Sequence, residues 1–195
     1  VWEYTFDDTQ PITAIGRLAG DDRVQTAVEV SREQFDRART VVLSTARVYA
    51  DALAAVPLAK ELDAPILLTE PGSLPDAVAA EIDRLGARRV VVTGGPVAVS
   101  DAVDDQLRLR GLEVERIFGQ TRFATAAAIA ERLPVTSSAY VVEGADVDPA
   151  RGWPDALAVG PVAAEQGRPI LLVETDRVPA ETTAALDALG TDDVT

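Results

Sequence analysis

The chain has 195 residues, with 18 Lys and Arg against 32 Asp and Glu, a formal net charge of −14, and no His, Cys or Met. This balance, without a basic stripe, argues against nucleic-acid binding, and the lack of His and Cys excludes thiol nucleophiles, Ser-His-Asp triads and the usual zinc sites within this segment. Apolar residues make up 47% of the chain, enough for a core, and no apolar run approaches the roughly 20 residues of a membrane span.

Seven short apolar runs predict strands. Their interiors are nearly all Val, Ile and Leu without alternation, which is typical of parallel strands covered on both faces. The runs are Ile12–Arg17, Thr40–Ser44, Pro65–Thr69, Arg89–Thr93, Val114–Phe118, Ala139–Val142 and Pro169–Val173.

Between the strands, apolar residues recur at helical spacing over Val24–Phe35, Leu74–Leu85 and Val99–Leu107. Pro75 lies near the first turn of the second of these and Gly86 just past its end, as helix boundaries require. Ser100 is placed to cap the third. Strand and helix alternation with short links predicts an α/β fold of three layers with mostly parallel sheets.

The chain repeats itself. Arg17–Ala27 returns as Arg116–Ala126, Asp51–Ala54 as Asp155–Ala158, and Pro65–Leu68 as Pro169–Leu172. We therefore expect tandem three-layer α/β sandwich repeats: a lead-in at 1–16, one repeat at 17–113 and a second at 114–195 that is truncated at its C-terminal end. Neither end is expected to be the end of a gene product. Duplication multiplies binding surfaces more readily than active sites, so the repeats favour an array of binding units.

Four arginines occupy equivalent positions in the two repeats. Arg23 and Arg122 fall in the first turn of a helix, where a cation opposes the helix dipole by about 0.3–1 kcal/mol. Arg17 and Arg116 fall in the strand before that helix. Because the unfavourable placement recurs, the sequence indicates a use for it: contact with an anionic ligand, or an ion pair with a carboxylate such as that of Asp51.

Asp51 and Asp155 each begin an apolar helix, Asp-Ala-Leu-Ala. An acid there stabilises the helix N-terminus. It could equally hold an arginine or accept sugar hydroxyls, because ligands of open α/β sheets bind at the carboxyl ends of the strands. Gly94 and Gly95 follow a strand and are expected to open a helix. They either expose backbone N–H groups to an anion or form a simple tight turn.

In their order and spacing, these motifs resemble the cell wall binding repeat 2 family. They are Arg-x-x-Gly-x-x-Arg-x-x-Thr-Ala, Asp-Ala-Leu-Ala, Pro-Ile-Leu-Leu and a strand that ends in Gly-Gly. The resemblance implies modules in tandem, commonly three in a pseudo-symmetric ring, that hold a surface protein to the envelope through an anionic wall polymer. It also implies an anchoring role near two segments: Pro65, Ile66, Leu67 and Leu68, and Pro169, Ile170, Leu171 and Leu172.

We therefore expect an extracellular, non-catalytic anchoring module, without cofactor or metal, whose partners are an anionic cell-surface polymer and further repeats of the parent protein. The expected anion contacts are Arg17, Arg23, Arg116 and Arg122, with Asp51 and Asp155 orienting them and Gly94 and Gly95 supplying amides. One alternative is a self-assembling repeat of a surface-layer protein. Another is an enzyme or sensor of small phosphorylated ligands that uses the Gly94-Gly95 turn.

Overall fold

A computed structural model of the chain describes residues 17–145, 153–191 and 193–194. The helices are α1 Arg23–Gln34, α2 Ala50–Ala54, α3 Val56–Glu61, α4 Asp76–Leu85, α5 Asp101–Leu109, α6 Arg122–Ala130, α7 Pro154–Gln166 and α8 Ala180–Leu189. The strands are β1 Thr40–Thr45, β2 Ile66–Thr69, β3 Arg89–Thr93, β4 Glu113–Ile117, β5 Ser138–Ala145, β6 Ile170–Glu174 and β7 Asp193–Val194. Within these described residues, no helix combines the length and hydrophobicity needed to cross a bilayer.

The strands form two parallel sheets. The first has the order β2-β1-β3-β4 and the second the order β6-β5-β7. The α/β class with parallel sheets is confirmed, and β1, β2, β3, β4 and β6 lie within a residue of the predicted runs. Strand β5 extends three residues past the predicted end at Val142, and β7 was not predicted. The predicted strand Ile12–Arg17 lies outside the described residues, except for Arg17, which belongs to no helix or strand.

Both faces of the central strands β1 and β3 are buried, as their apolar runs predicted. In β1, Val41 and Leu43 pack in a core with α1, α4 and α5, while Val42 points into a second core on the opposite face. Successive side chains of a strand alternate between faces, so a strand covered twice needs an apolar residue at every position.

The second core joins the two repeats. It contains Ala54 and Leu58 from α2 and α3 together with Phe123, Ile129 and Ala163 from α6 and α7. The helices of the second repeat therefore complete the outer layer of the first. Strand β4 belongs to the first sheet by its pairing with β3 and leads directly into α6, so it serves both repeats.

Helix ends follow the local signals. Gly86 closes α4 in the left-handed conformation, and Pro75 stands at its N-cap. Asp22 and Thr121 cap α1 and α6 by accepting from backbone N–H groups of Gln25 and Ala124. Ser100 is the N-cap residue of α5, as predicted, but its hydroxyl makes no hydrogen bond.

Candidate functional site

A groove of about 380 Å³ lies at the carboxyl end of the first sheet, where the second repeat begins. We call it the junction groove. One wall comes from the loops after β1 and β3 and the start of α2, and the other from the segment that joins β4 to α6. Its lining includes Thr45, Arg47, Asp51, Gly95, Pro96, Val97, Phe118, Gln120, Arg122 and Thr125.

Asp51 is the most unusual side chain in the junction groove. It is only 7% exposed, yet its carboxylate forms no hydrogen bond or ion pair with any residue that the structure describes. Burial raises the pKa of Asp51, and the positive charge of Arg122 partly opposes that rise. A largely buried carboxylate that lines a groove and has a raised pKa is a candidate for contact with a ligand.

Gly94 makes room for this carboxylate. Its φ of 109° is one that L side chains rarely adopt, and a Cβ there would lie 2.6 Å from Asp51 Oδ2. The sequence predicted that Gly94 would expose its amide, but its N–H donates to Ile117 O at 3.0 Å. Helix α5 begins only at Asp101, so the Gly94-Gly95 turn does not open a helix directly. Gly95 lies against the ring of Phe118 instead.

Arg23 and Arg122 make the same contact in their two repeats. Arg23 Nη1 donates to Ala46 O at 2.8 Å, and Arg122 Nη1 donates to Gly144 O at 2.6 Å. Each arginine thus ties the first helix of its repeat to the carboxyl end of the first strand. The ion pair with Asp51 or Asp155 that the sequence left open is not formed by either arginine. Arg122 also lies over the ring of Tyr49, with Cζ 6.0 Å from the centroid.

The spacing of Gly, Arg and Thr that the two repeats share also has a structural basis. Thr26 Oγ1 accepts from Gly20 N at 3.1 Å, and Thr125 Oγ1 accepts from Gly119 N at the same distance. A Cβ on Gly119 would come within 2.3 Å of Ala124 Cβ. The Gly, Arg and Thr of the motif therefore shape the entry to the helix.

Arg116 is held inside the protein. Its side chain is 11% exposed, and its guanidinium donates hydrogen bonds to the Asp104 carboxylate from Nε at 3.2 Å and from Nη2 at 2.5 Å. Nη1 donates to Gly94 O and Val99 O, both at 2.8 Å. These bonds leave Arg116 the role of positioning the turn beside the junction groove. Arg17, its equivalent in the first repeat, is exposed.

The two Pro-Ile-Leu-Leu segments lie in edge strands and are largely buried. Leu67 of β2 and Leu171 of β6 are fully buried, and Pro65 and Pro169 precede the strands as buried residues. Ile66 and Leu68 are half-buried, while Ile170 and Leu172 are buried. These side chains build the cores beneath any binding surface.

Asp155 has a different environment from Asp51. It is exposed near the start of α7, because no described element covers it as α6 covers Asp51. The structure therefore assembles one groove from the predicted set, containing Asp51, Gly95 and Arg122. Gly94 and Arg116 lie just behind its wall.

Several groove residues were missed by sequence reasoning. Phe118 is 42% exposed and Val97 almost fully exposed, so both offer apolar contact area in the groove. Arg47, whose Nε donates to Glu70 at 2.9 Å, adds a cation at its rim. A signal was present for Phe118 only, since it follows the end of β4 immediately.

Comparison with known proteins identifies relatives of the chain. The family model described as Cell wall binding domain 2 (CWB2) matches residues 17–104 and 116–194. The chain is 35% identical to an amidase enhancer of Bacillus subtilis over 86% of its own length and 23% of that protein. It is 32% identical to the N-acetylmuramoyl-L-alanine amidase LytC of the same organism, over 91% of the chain and 34% of that protein.

Two solved structures share the fold. Cwp6 from Clostridium difficile matches 98% of the chain with a TM-score of 0.81 at 29% identity, and Cwp8 from the same organism matches 91% with a TM-score of 0.79 at 35% identity. The chain covers 32% and 30% of those two proteins, so it spans about a quarter to a third of the length of its relatives.

Proposed function

Because the chain belongs to the cell wall binding domain 2 (CWB2) family, we propose that it is an extracellular, non-catalytic module that binds an anionic cell-surface glycopolymer in the junction groove. The binding is non-covalent and anchors a longer protein to the envelope. Family membership supports association with the cell wall. The groove supports the identity of the ligand class, through the groups described below.

The Asp51 carboxylate, which forms no hydrogen bond or ion pair with the described residues, is the observation that carries this proposal. A hydroxyl of a ligand in the groove could donate a hydrogen bond to this carboxylate. The exposed ring of Phe118 and the side chain of Val97 offer apolar contacts beside it. Arg122 places a positive charge in the groove and forms no ion pair with the described residues, which favours a ligand that carries anionic groups as well as hydroxyls.

Replacing Asp51 by Asn is expected to separate binding from stability. Because burial raises the pKa of Asp51, its protonated form is favoured by folding, and the stability it contributes is lost as pH rises through the pKa of the folded state. At pH 7 the Asp51→Asn variant should therefore be as stable as the parent chain or more stable. Its retention on purified envelope in a pull-down should fall by about tenfold.

Asp155→Asn is the matched control, because it makes the same change at the equivalent but exposed position. It should retain parental binding. The proposal would be overturned if Asp51→Asn bound as well as the parent, or if both chains were retained equally on envelope stripped of its polymer.

We also infer that a further repeat of the parent protein packs on α7. Five positions that are buried on α2 and α3 are exposed at their equivalents on α7, namely Pro154, Asp155, Ala158, Pro161 and Val162. Leu58, for example, is 2% exposed where its counterpart Val162 is 46% exposed. In the first repeat, this face is covered by the helices of the repeat that follows.

Cysteine labelling tests this packing cleanly, because the chain contains no Cys. A Val162→Cys variant should react with a thiol reagent rapidly in the present chain and at least about tenfold more slowly in the longer parent protein. Val135→Cys, at a position that is 94% exposed, should react at the same rate in both. Protection of Val162→Cys in the isolated chain, together with a doubled mass in solution, would instead favour the self-assembling alternative.

A further inference from the structure

A second surface, at the opposite edge of the first sheet, concentrates positive charge. Strands β1 and β3 begin side by side at Thr40 and Arg89, and the loops that precede them enclose an open depression of about 550 Å³. Four arginines line it together with the Leu85-Gly86 turn at the end of α4: Arg37, Arg39, Arg84 and Arg88. We call these four residues the amino-edge arginine cluster.

Local hydrogen bonds hold this surface in place. Arg88 N donates to Arg39 O at 2.9 Å, and Ala38 N donates to Leu85 O at 3.2 Å, so the two loops are tied together through their backbones. Arg84 adds a side-chain tie, because its Nη2 donates to Phe35 O at 2.7 Å. The depression is therefore preformed rather than assembled by its arginine side chains alone.

Three of the four guanidinium groups have no partner among the described residues. Arg84 is engaged by the buried Glu81, but the side chains of Arg37, Arg39 and Arg88 are exposed and form no hydrogen bond or ion pair with the described residues. Asp36 is close enough to act on Arg84, and Asp83 is already paired with Arg110. The cluster thus carries an excess of positive charge within a chain whose net charge is −14.

The second repeat shows that the fold does not require these arginines. The residues equivalent to Arg37, Arg39, Arg84 and Arg88 are Val135, Ser137, Ala188 and Asp192. The turn itself is preserved, since Gly190 closes α8 with a φ of 61° as Gly86 closes α4 with a φ of 67°. The Gly190 turn therefore forms without a cation at Val135, Ser137 or Ala188.

We propose that the amino-edge arginine cluster binds phosphate groups carried along an anionic polymer, a role that rests on the proposed function for the presence of that polymer. Guanidinium groups bind phosphate and carboxylate through paired N–H donors. Several cations converge on one depression, and a phosphate offers more charge and more acceptor oxygens than a carboxylate to satisfy them. Distant carboxylates interfere little, because the Debye length is about 8 Å at physiological salt.

This cluster and the junction groove lie at opposite ends of the same strands. A polymer that repeats its anionic group could engage both at once, and linked weak contacts gain affinity without any new contact within either site. The cluster therefore supplies charge-based attachment, while the groove supplies recognition of hydroxyl-bearing units.

Calorimetric titration with sodium polyphosphate at physiological ionic strength tests the proposal. In a variant that combines Arg37→Gln, Arg39→Gln and Arg88→Gln, the affinity for polyphosphate should fall by about tenfold or more. Arg84 is left in place because it ties α4 to the loop before β1. The matched control combines Lys60→Gln, Arg108→Gln and Arg177→Gln, which changes the net charge equally at exposed sites elsewhere and should alter affinity by less than about twofold.

Two further outcomes would overturn the proposal or part of it. Equal weakening by the control variant would overturn the proposal, because it would reduce the binding to an effect of net charge. Equal affinity for polygalacturonate, a carboxylate polymer, would overturn the assignment to phosphate. If inorganic phosphate at millimolar concentration displaces polyphosphate, the site binds single phosphate groups. If polyphosphate binds and inorganic phosphate does not displace it, the site requires a chain of phosphates.

The experiment is independent of the groove. If Asp51→Asn leaves envelope binding unchanged while the cluster variant loses polyphosphate, the junction groove fails as the binding site and the cluster stands. If the cluster variant binds polyphosphate as well as the parent chain while Asp51→Asn loses envelope binding, the cluster fails and the proposed function stands.

Discussion

Replacing Arg116 by Ala is expected to lower the free energy of unfolding by about 3 kcal/mol. The substitution removes two bonds to Asp104, which is 3% exposed, and two bonds to backbone carbonyls of the Gly94–Val99 turn. Arg108 remains 3.6 Å from the Asp104 carboxylate and limits the loss. Urea denaturation monitored by circular dichroism measures the change through the shift of its midpoint.

Arg17→Ala is the matched control for this prediction, since Arg17 is the counterpart of Arg116 and is exposed. It should change the unfolding free energy by less than about 0.5 kcal/mol. Replacing Arg116 and Asp104 together by Met and Leu should recover part of the stability lost in Arg116→Ala, because no buried charge is then left unpaired. A stable Arg116→Ala chain would show that the buried ion pair does not organise the turn.

Glu81→Gln is the substitution with the second large effect, an expected loss of about 2–3 kcal/mol at pH 7. Glu81 is fully buried and accepts from Ser31 Oγ at 2.6 Å and from Arg84 Nε and Nη2, both at 2.8 Å. A longer contact joins it to Arg32 Nε at 3.4 Å. These donors tie α1 to α4 on the outer face of the first sheet, so neutralising Glu81 weakens that layer.

The effect should depend on pH. Burial by itself raises the pKa of Glu81, but the hydrogen bonds from Arg84 and Ser31 outweigh burial and hold the pKa below its usual value of 4.5. A lowered folded-state pKa means that the stabilisation is present above the unfolded value and is lost as pH falls through the folded value. The difference in stability between the parent chain and Glu81→Gln should therefore be full at pH 7 and shrink below about pH 4.5.

Glu29→Gln serves as the control, because Glu29 pairs with Arg32 on the exposed side of α1. It should cost less than about 0.5 kcal/mol at every pH. A pH-independent difference for Glu81→Gln would show that the loss arises from packing rather than from the charge.

Local sequence patterns predicted most of the fold, because strand burial and helix ends depend on residues that are close together in the chain. The interiors of the runs around Val42, Leu67 and Val91 were apolar without alternation, and Val42, Leu67 and Val91 are buried in the cores on the two faces of the sheet. Pro75 and Gly86 marked the ends of α4 for reasons that lie in their own backbones. The duplicated motifs predicted two related repeats, and the family model matches two segments that correspond to them.

The candidate site was predicted less well, because its contacts join residues far apart in the chain. Asp51 was recognised as a candidate that could hold an arginine, but its burial by the second repeat was not predicted. Arg23 was expected to pair with a carboxylate or a ligand, and it binds the backbone carbonyl of Ala46. The Gly94 amide was expected to be free, but β4 pairs beside β3 and Ile117 accepts its hydrogen bond.

The sequence alone determined the α/β class, the strand and helix order and the duplication, since hydrophobic periodicity, helix caps and repeated motifs are properties of neighbouring residues. Only the tertiary structure decided which charges are neutralised and which remain free. Arg17 and Arg116 occupy the same position of the repeated motif, yet Arg17 is exposed and Arg116 is largely buried in an ion pair with Asp104. Arg37 and Arg88 likewise become neighbours only because β1 and β3 pair in parallel, which brings the starts of two distant segments to one edge.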